Sequence, residues 1–278
     1  MKKTICGLTI YGVFTFLCLE TQSALAAVNV KEKPDVLEIV SRCDNKNPGS
    51  DQQSRMSITI TAKNGQKRTT TYLRLWRDMK GDQGLLDKMV LFTLYPPDSE
   101  GTGFMRWGYD HNQEKNAQQW VYLPNLRSLR RVSVRDLGES FLGSDLTYGD
   151  ITPRLPEQDK HELLRIVKDK DGDEFYLVES IPIETDSIYS RKESWYKKTA
   201  DPKECVKTRI DYYDRKGAPL KKQTLSWQRI NNAWMWKEVS VKNAQTMQQS
   251  LFEIDHVKID QGIDDDMFSE RRLRLGIR

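Results

Sequence analysis

Polar and apolar residues alternate along most of the chain. Met56, Ile58 and Ile60 interleave with Ser57, Thr59 and Thr61, the period of two expected of a strand with one covered face. Asn64-Gly65 follows, a strong hairpin signal because both central turn positions need positive φ. Residues 67–77 read as the return strand, with Leu73 and Leu75 on one side. Comparable stretches run from 89–95 to 251–259, about eleven strands in all, joined mostly by short turns such as Asp171-Gly172 and Asn231-Asn232. No long helical pattern separates them, so a parallel α/β plan is excluded and a mainly β, antiparallel fold is expected.

Two stretches break the alternation. Residues 35–42 carry Val36, Leu37, Ile39 and Val40 at helical spacing, with Pro34 and Asp35 suited to a first turn. Residues 136–156 contain Gly138, Gly143, Gly149, Pro153 and Pro156 with little periodicity, and read as a long ordered loop. So many strands need a closed or covered arrangement, because open edges pair with other chains. A sandwich and a strongly curved sheet both satisfy the pattern, with the helix and the glycine-rich loop available as covers.

Several strands are apolar on both sides. Met89, Leu91 and Tyr95 alternate with Val90, Phe92 and Leu94. Trp234 and Trp236 share one side, Met235, Val239 and Val241 the other, and Leu225 points with Trp227. A sheet with one wet face does not show this repeatedly. One side is expected to pack on a core, and the other either fills a second core or lines an apolar cavity. Such a cavity would suit acyl chains, since each buried methylene gains roughly 0.8 kcal/mol without any catalytic group.

The N-terminus changes the picture of location. Lys2 and Lys3 precede an apolar run from Ile5 to Leu19, and small residues at Ala24 and Ala26 offer a cleavage site. Residues 1–26 are therefore expected to be a cleaved signal peptide, leaving 27–278 as a single exported β domain with an N-terminal helix. Cys18 follows the bulky Leu17, a poor lipidation site. Removing Lys2, Lys3 and Glu20 from 44 basic and 40 acidic residues leaves 42 and 39, too slight an excess to indicate nucleic acid. Two cysteines remain, Cys43 and Cys205, and an oxidising compartment allows a long-range disulfide or two separate thiols.

Catalytic signatures are sparse. His111, His161 and His256 are scattered, and no GxSxG elbow, CxxC or HExxH occurs, so neither a hydrolase triad nor a metal is expected and no cofactor is called for. Asp145 and Asp150 lie in the unusual middle loop. As a carboxylate pair they would suit a glycoside hydrolase with Trp107, Trp120 and Tyr148 as sugar platforms. As turn residues they would accept backbone hydrogen bonds and hold the loop. The second reading is preferred. Arg127, Arg130, Arg131 and Arg135 form the densest basic stretch, with Arg131 and Arg135 on one face and Arg130 on the other. They suit a lipid headgroup, a partner protein or a charged outer strand.

An ordered set of residues then identifies a resemblance. It comprises Gly101-Thr102-Gly103-Phe104, Trp120-Val121-Tyr122-Leu123-Pro124 with Leu126-Arg127 and Arg130-Arg131, Phe141-Leu142-Gly143-Ser144-Asp145 and Tyr148-Gly149-Asp150. The chain resembles the LolA/LolB-like superfamily of outer-membrane lipoprotein-sorting proteins, in its uncharacterised periplasmic branch. That resemblance implies an unclosed β-barrel of about eleven strands with a helical or loop cover. It also implies a non-catalytic periplasmic carrier or binder of lipid or lipoprotein acyl chains, working with an inner-membrane lipid exporter or another envelope protein. Met89, Leu91, Phe92, Leu94, Trp227, Trp234, Met235 and Trp236 are the expected wall residues, and Arg130 and Arg131 the headgroup or docking residues. A non-catalytic envelope scaffold, its sheet filled by its own side chains, is the alternative.

Overall fold

A computed structural model describes residues 34–110 and 115–277; the expected signal peptide and His111 lie outside the described residues. Asp35 caps helix α1 (Val36–Asp44) by accepting a hydrogen bond from the Leu37 amide, 2.9 Å. Six strands follow as a meander: β1 (Asp51–Thr61), β2 (Lys67–Asp78), β3 (Leu85–Tyr95), β4 (Gly103–Tyr109), β5 (Gln118–Leu123) and β6 (Ser128–Val132). A second meander comprises β7 (Asp159–Lys168), β8 (Glu174–Pro182), β9 (Tyr189–Lys197), β10 (Lys207–Asp214), β11 (Pro219–Ile230), β12 (Ala233–Asn243) and β13 (Gln249–Ile259). The short helix α2 (Glu270–Leu275) comes last, and Pro34–Arg278 is one compact unit.

The two meanders join where β1 pairs with β13, giving one antiparallel sheet in the order β6-β5-β4-β3-β2-β1-β13-β12-β11-β10-β9-β8-β7. This corrects the expected strongly curved sheet or unclosed barrel of about eleven strands. The described residues form thirteen strands, the sheet is neither closed nor strongly curled, and β6 and β7 are its two free edges. Each meander grows away from the central β1–β13 pair, so the two edges end on opposite sides. Charge protects them instead of closure: β6 exposes Arg130 and Arg131, and β7 exposes Lys160, Glu162, Arg165 and Lys168.

Both faces are covered across β2–β5, which explains the doubly apolar β3. Directly opposed residues share a face, so the register Met56–Tyr72, Ile58–Phe252, Arg74–Leu91 and Leu91–Phe104 defines an upper face. Its core contains Ile58, Leu91, Phe104, Val239 and Phe252, topped by Phe141 and Leu146 from the β6–β7 connection. On the lower face, Leu75, Val90, Phe92, Met105 and Trp120 pack under Phe268 and Leu273 of the C-terminal turn and α2. A third cluster joins Ile39, Val40 and Cys43 of α1 to Leu163, Val178 and Tyr196. Cys43 and Cys205 form a disulfide there.

The lower cover depends on a missing side chain. A Cβ at Gly103 would lie 2.6 Å from Leu273 Cδ1 and 3.3 Å from the Leu91 carbonyl oxygen. Gly103→Ala is expected to cost about 1–3 kcal/mol through overpacking, read as a lower urea midpoint. An unchanged midpoint would show that α2 is loosely held.

Candidate functional site

The connection between β6 and β7, residues 133–158, leaves one sheet edge and returns at the other, lying across the upper face. Its lack of alternation follows from its local bonding: Gly149 N donates to Leu137 O and Phe141 N to Leu146 O, so it folds on itself rather than into the sheet. Phe141 stacks edge-on against Phe104, ring centroids 4.9 Å apart, and Tyr148 packs beside both.

Polar contacts fix it to both meanders. On one side, Gln119 Nε2 donates to Tyr148 O (3.1 Å) and Thr152 Oγ1 (3.0 Å), and Arg106 Nη1 donates to Ile151 O. On the other, Ser250 Oγ donates to the Asp145 carboxylate (2.6 Å), and Lys221 Nζ donates to Asp145 O (2.8 Å) and Asp150 Oδ2 (2.5 Å). Asp150 also accepts from Tyr189 Oη (2.8 Å) and the Thr147 amide (2.8 Å). The side chains of Lys221 and Asp150 are 2% and 5% exposed, so this is a buried ion pair. Tyr189 and Tyr212 flank the Lys221 ammonium, their ring centroids 5.3 and 4.9 Å away. Burial, and then the Asp150 carboxylate, push both phenols well above their usual range. Asp145 and Asp150 thus act as loop anchors, and neither is a free carboxylate for glycoside chemistry.

Where the connection rejoins the sheet, Arg154 grips Asp159 (2.6 Å) and Glu184 (2.7 Å). Burial pushes the Asp159 carboxyl up, but hydrogen bonding to Arg154 and the charge of Lys192 outweigh it and leave it below its usual value. Glu184 shifts the same way: burial raises it, and Arg154 lowers it further. Both folded values lie below the unfolded ones, so this stabilisation is complete above the ordinary carboxylate range and is lost as pH falls through the folded values. Amide exchange in residues 150–158 is expected to rise more steeply below about pH 4 than elsewhere in the sheet. Arg154→Gln should remove that extra steepness.

Between the connection and the β4–β6 end of the upper face lies a cleft of about 270 Å³. Val121, Leu123, Val132, Leu142 and Tyr148 supply its apolar walls, with Thr102, Ser140 and Arg130 at the polar margin. Arg130 is held by Asp136 and Glu139, each at 3.1 Å, which raises its pKa and lowers that of Asp136. A second cleft, about 410 Å³, opens by the β10–β11 and β12–β13 turns, with Arg209, Lys221, Lys222 and Lys242 among its lining. Tyr212, Tyr213, Pro219 and Met247 share that lining, and Asp211 pairs there with Arg209.

The expected wall residues are dispersed. Leu91 and Met235 are buried in the upper core, with Met89, Trp227 and Trp236 packed against it. A bulge pairs Trp227 with Trp236 while Leu225 pairs with Val239, which brings Trp236 to the side of Val239. Phe92 is in the lower core, and Leu94 is exposed. Trp234 lies between Lys46 and Arg229. None of the eight lines the apolar cleft. Arg130 borders it, while Arg131, opposite Trp120 in the register, projects from the lower face. Val121, Leu123 and Val132 were findable by alternation within β5 and β6; Leu142 was not, because nothing in the local pattern shows where the connection lies.

Among the described residues, no group of three or more His, Cys, Asp or Glu side chains could hold a metal ion, and no helix is long and apolar enough to cross a membrane. A family model described as "Uncharacterized protein" matches residues 85–275. No curated protein matches. Among solved structures, a domain assigned to outer membrane lipoprotein sorting from Vibrio parahaemolyticus is similar at 23% identity and TM-score 0.75, over 86% of this chain and 97% of that one. A DUF1329 family protein from Desulfovibrio piger gives 24% and 0.76, over 85% and 97%. A LolA superfamily protein from Nitrosomonas europaea gives 17% and 0.63, over 86% and 100%. These likenesses establish the fold.

Proposed function

Because the chain belongs to the LolA/LolB-like outer-membrane lipoprotein-sorting superfamily, in its uncharacterised branch, we propose that it is a non-catalytic periplasmic carrier that shelters a lipid acyl segment. The observation that carries this reading is the apolar cleft beneath the β6–β7 connection, walled by Val121, Leu123, Val132, Leu142 and Tyr148. At about 270 Å³ it is just below the usual ligand-pocket range of roughly 300–1,000 Å³. It takes a short stretch of chain as it stands and a longer one if the connection lifts. Export fits this role: residues 1–26 act as the leader and 27–278 as the carrier domain. Arg130 at the margin meets the headgroup after releasing Asp136 and Glu139. Arg131, on the other face, is free to meet an envelope partner such as an inner-membrane lipid exporter.

Organic extraction of protein purified from the periplasm, followed by lipid mass spectrometry, tests this directly. A copurifying lipid, displaced by a fluorescent acyl probe, is expected. Leu142→Glu should weaken probe binding about tenfold or more, the contact of roughly two methylenes, whereas Leu94→Glu should not. Absence of both lipid and probe binding would end the carrier reading. A scaffold reading is favoured by one observation: Phe141 and Leu146 of the connection are each only 2% exposed and fill the centre of the upper face themselves. It predicts no exchangeable lipid and an unchanged probe signal in either variant.

A further inference from the structure

On the upper face, Arg74 carries a positive charge with which no described carboxylate forms an ion pair. Arg74 of β2 and Arg106 of β4 flank one carboxylate, Asp87 of β3. Arg106 Nη2 pairs with Asp87 Oδ2 at 2.6 Å, and the Trp76 indole donates to the same oxygen at 2.9 Å. Asp87 thereby pairs with Arg106 through one oxygen, while its Oδ1 is buried without a hydrogen-bond partner. Arg74 donates from Nη1 to the neutral Gln52 Oε1 at 2.7 Å, and no described carboxylate forms an ion pair with it. Its surroundings disfavour its charge: burial first, then the nearby Arg106, hold its pKa down at about 10. Arg74 itself is half-buried.

A second observation points the same way. Ser54 stands directly opposite Arg74 in the β1–β2 register, hence on the same face beside it. It is 1% exposed, and its Oγ has no hydrogen-bond partner. Arg106 Nε is also buried and unpartnered. Buried polar atoms are rarely left unsatisfied, and such atoms beside an uncompensated guanidinium mark a place where something binds. One hydroxyl donor and free guanidinium N–H groups suit the acceptor oxygens of an anion.

We infer that Arg74, with Ser54 beside it and the Arg106–Asp87 pair behind, binds a singly charged oxyanion, either a carboxylate or a phosphodiester. The excess of one positive charge sets the valence. The site itself stands on these contacts; that the oxyanion belongs to an amphiphile rests on the carrier reading above.

Calorimetric titration of the mature chain at pH 8 with dodecanoate, a lysophosphatidylglycerol and uncharged 1-dodecanol tests both parts. A charged amphiphile is expected to bind about ten- to a hundredfold more tightly than the alcohol, the worth of one charge-assisted hydrogen-bond set. The tighter of the two identifies the oxyanion. Arg74→Gln should abolish this preference and leave dodecanol affinity unchanged. Ser54→Ala should reduce it severalfold at unaltered stability, since no hydrogen bond is lost. Equal binding of charged and uncharged ligands, or equal weakening of both in Arg74→Gln, overturns the oxyanion site while sparing the carrier. If no amphiphile binds, thermal unfolding in acetate or dimethyl phosphate at fixed ionic strength decides. Stabilisation of the wild type but not of Arg74→Gln upholds the site without the carrier, and no difference overturns both.

Discussion

Lys221→Met is expected to destabilise the protein by about 3–5 kcal/mol, the cost of leaving a buried carboxylate without its cation. Lys221 serves Asp150, the Asp145 carbonyl and the faces of Tyr189 and Tyr212 at once. Asp150 would keep the Tyr189 hydroxyl and the Thr147 amide, hydrogen bonds that do not replace a charge. Asp150→Asn alone should be costly for the converse reason. The double variant should be less destabilised than the sum of the two, because it buries no unpaired charge. Urea unfolding of the four proteins closes the cycle. A single-variant loss under about 1 kcal/mol, in the range of an exposed pair, would show that the connection is not locked to β11. The same lock controls the cleft, since Leu142 and Tyr148 ride on the segment it holds. The single variants should therefore exchange an acyl probe faster than the wild type.

Local chemistry was legible in the sequence, and long-range placement was not. The β1–β2 hairpin is written in alternation and in Asn64-Gly65, but of the two only Gly65 adopts a positive φ, +85°, in a loop closed by Ala62 N donating to Gln66 O rather than in the expected two-residue turn. The helix at 36–44 and the irregular character of 136–156 are equally local. The pairing of β1 with β13 joins residues about two hundred positions apart, and no short-range pattern encodes it. That single pairing decides that the sheet is open and that the β6–β7 connection must cross it. Strands apolar on both sides left open a second core or a cavity, because alternation cannot say what covers each side. Leu91 and Phe92 are neighbours that face different cores. The bulge between Ser226 and Trp227 in the β11–β12 register then defeated strict alternation at Trp236. For the same reason six of the eight expected wall residues pack in or against a core while Leu94 is exposed and Trp234 lies between Lys46 and Arg229, and the cleft formed where a local motif, Val121 to Leu123, met a non-local one at Leu142.

Cys43→Ser with Cys205→Ser is expected to cost about 2–5 kcal/mol, near the top of what one disulfide supplies, because the bridge spans 162 residues. Its Cα atoms are 5.0 Å apart, an ordinary separation for a bridge. The loss should not be uniform. α1 is nine residues long, too short to persist alone, and it is held by Ile39 and Val40 against Leu163, Val178 and Tyr196. Asp44 adds contacts to Lys207 (2.7 Å) and the Tyr196 hydroxyl (3.2 Å). With the bridge gone, α1 should open before the sheet does, so amide exchange in residues 36–44 should accelerate more than that of β1 or β13. Reducing agent should lower the unfolding midpoint of the wild type towards that of the double variant and leave the variant unmoved. Uniform acceleration across the chain would instead mean that α1 and the sheet unfold as one unit, and that the bridge acts on the unfolded chain alone.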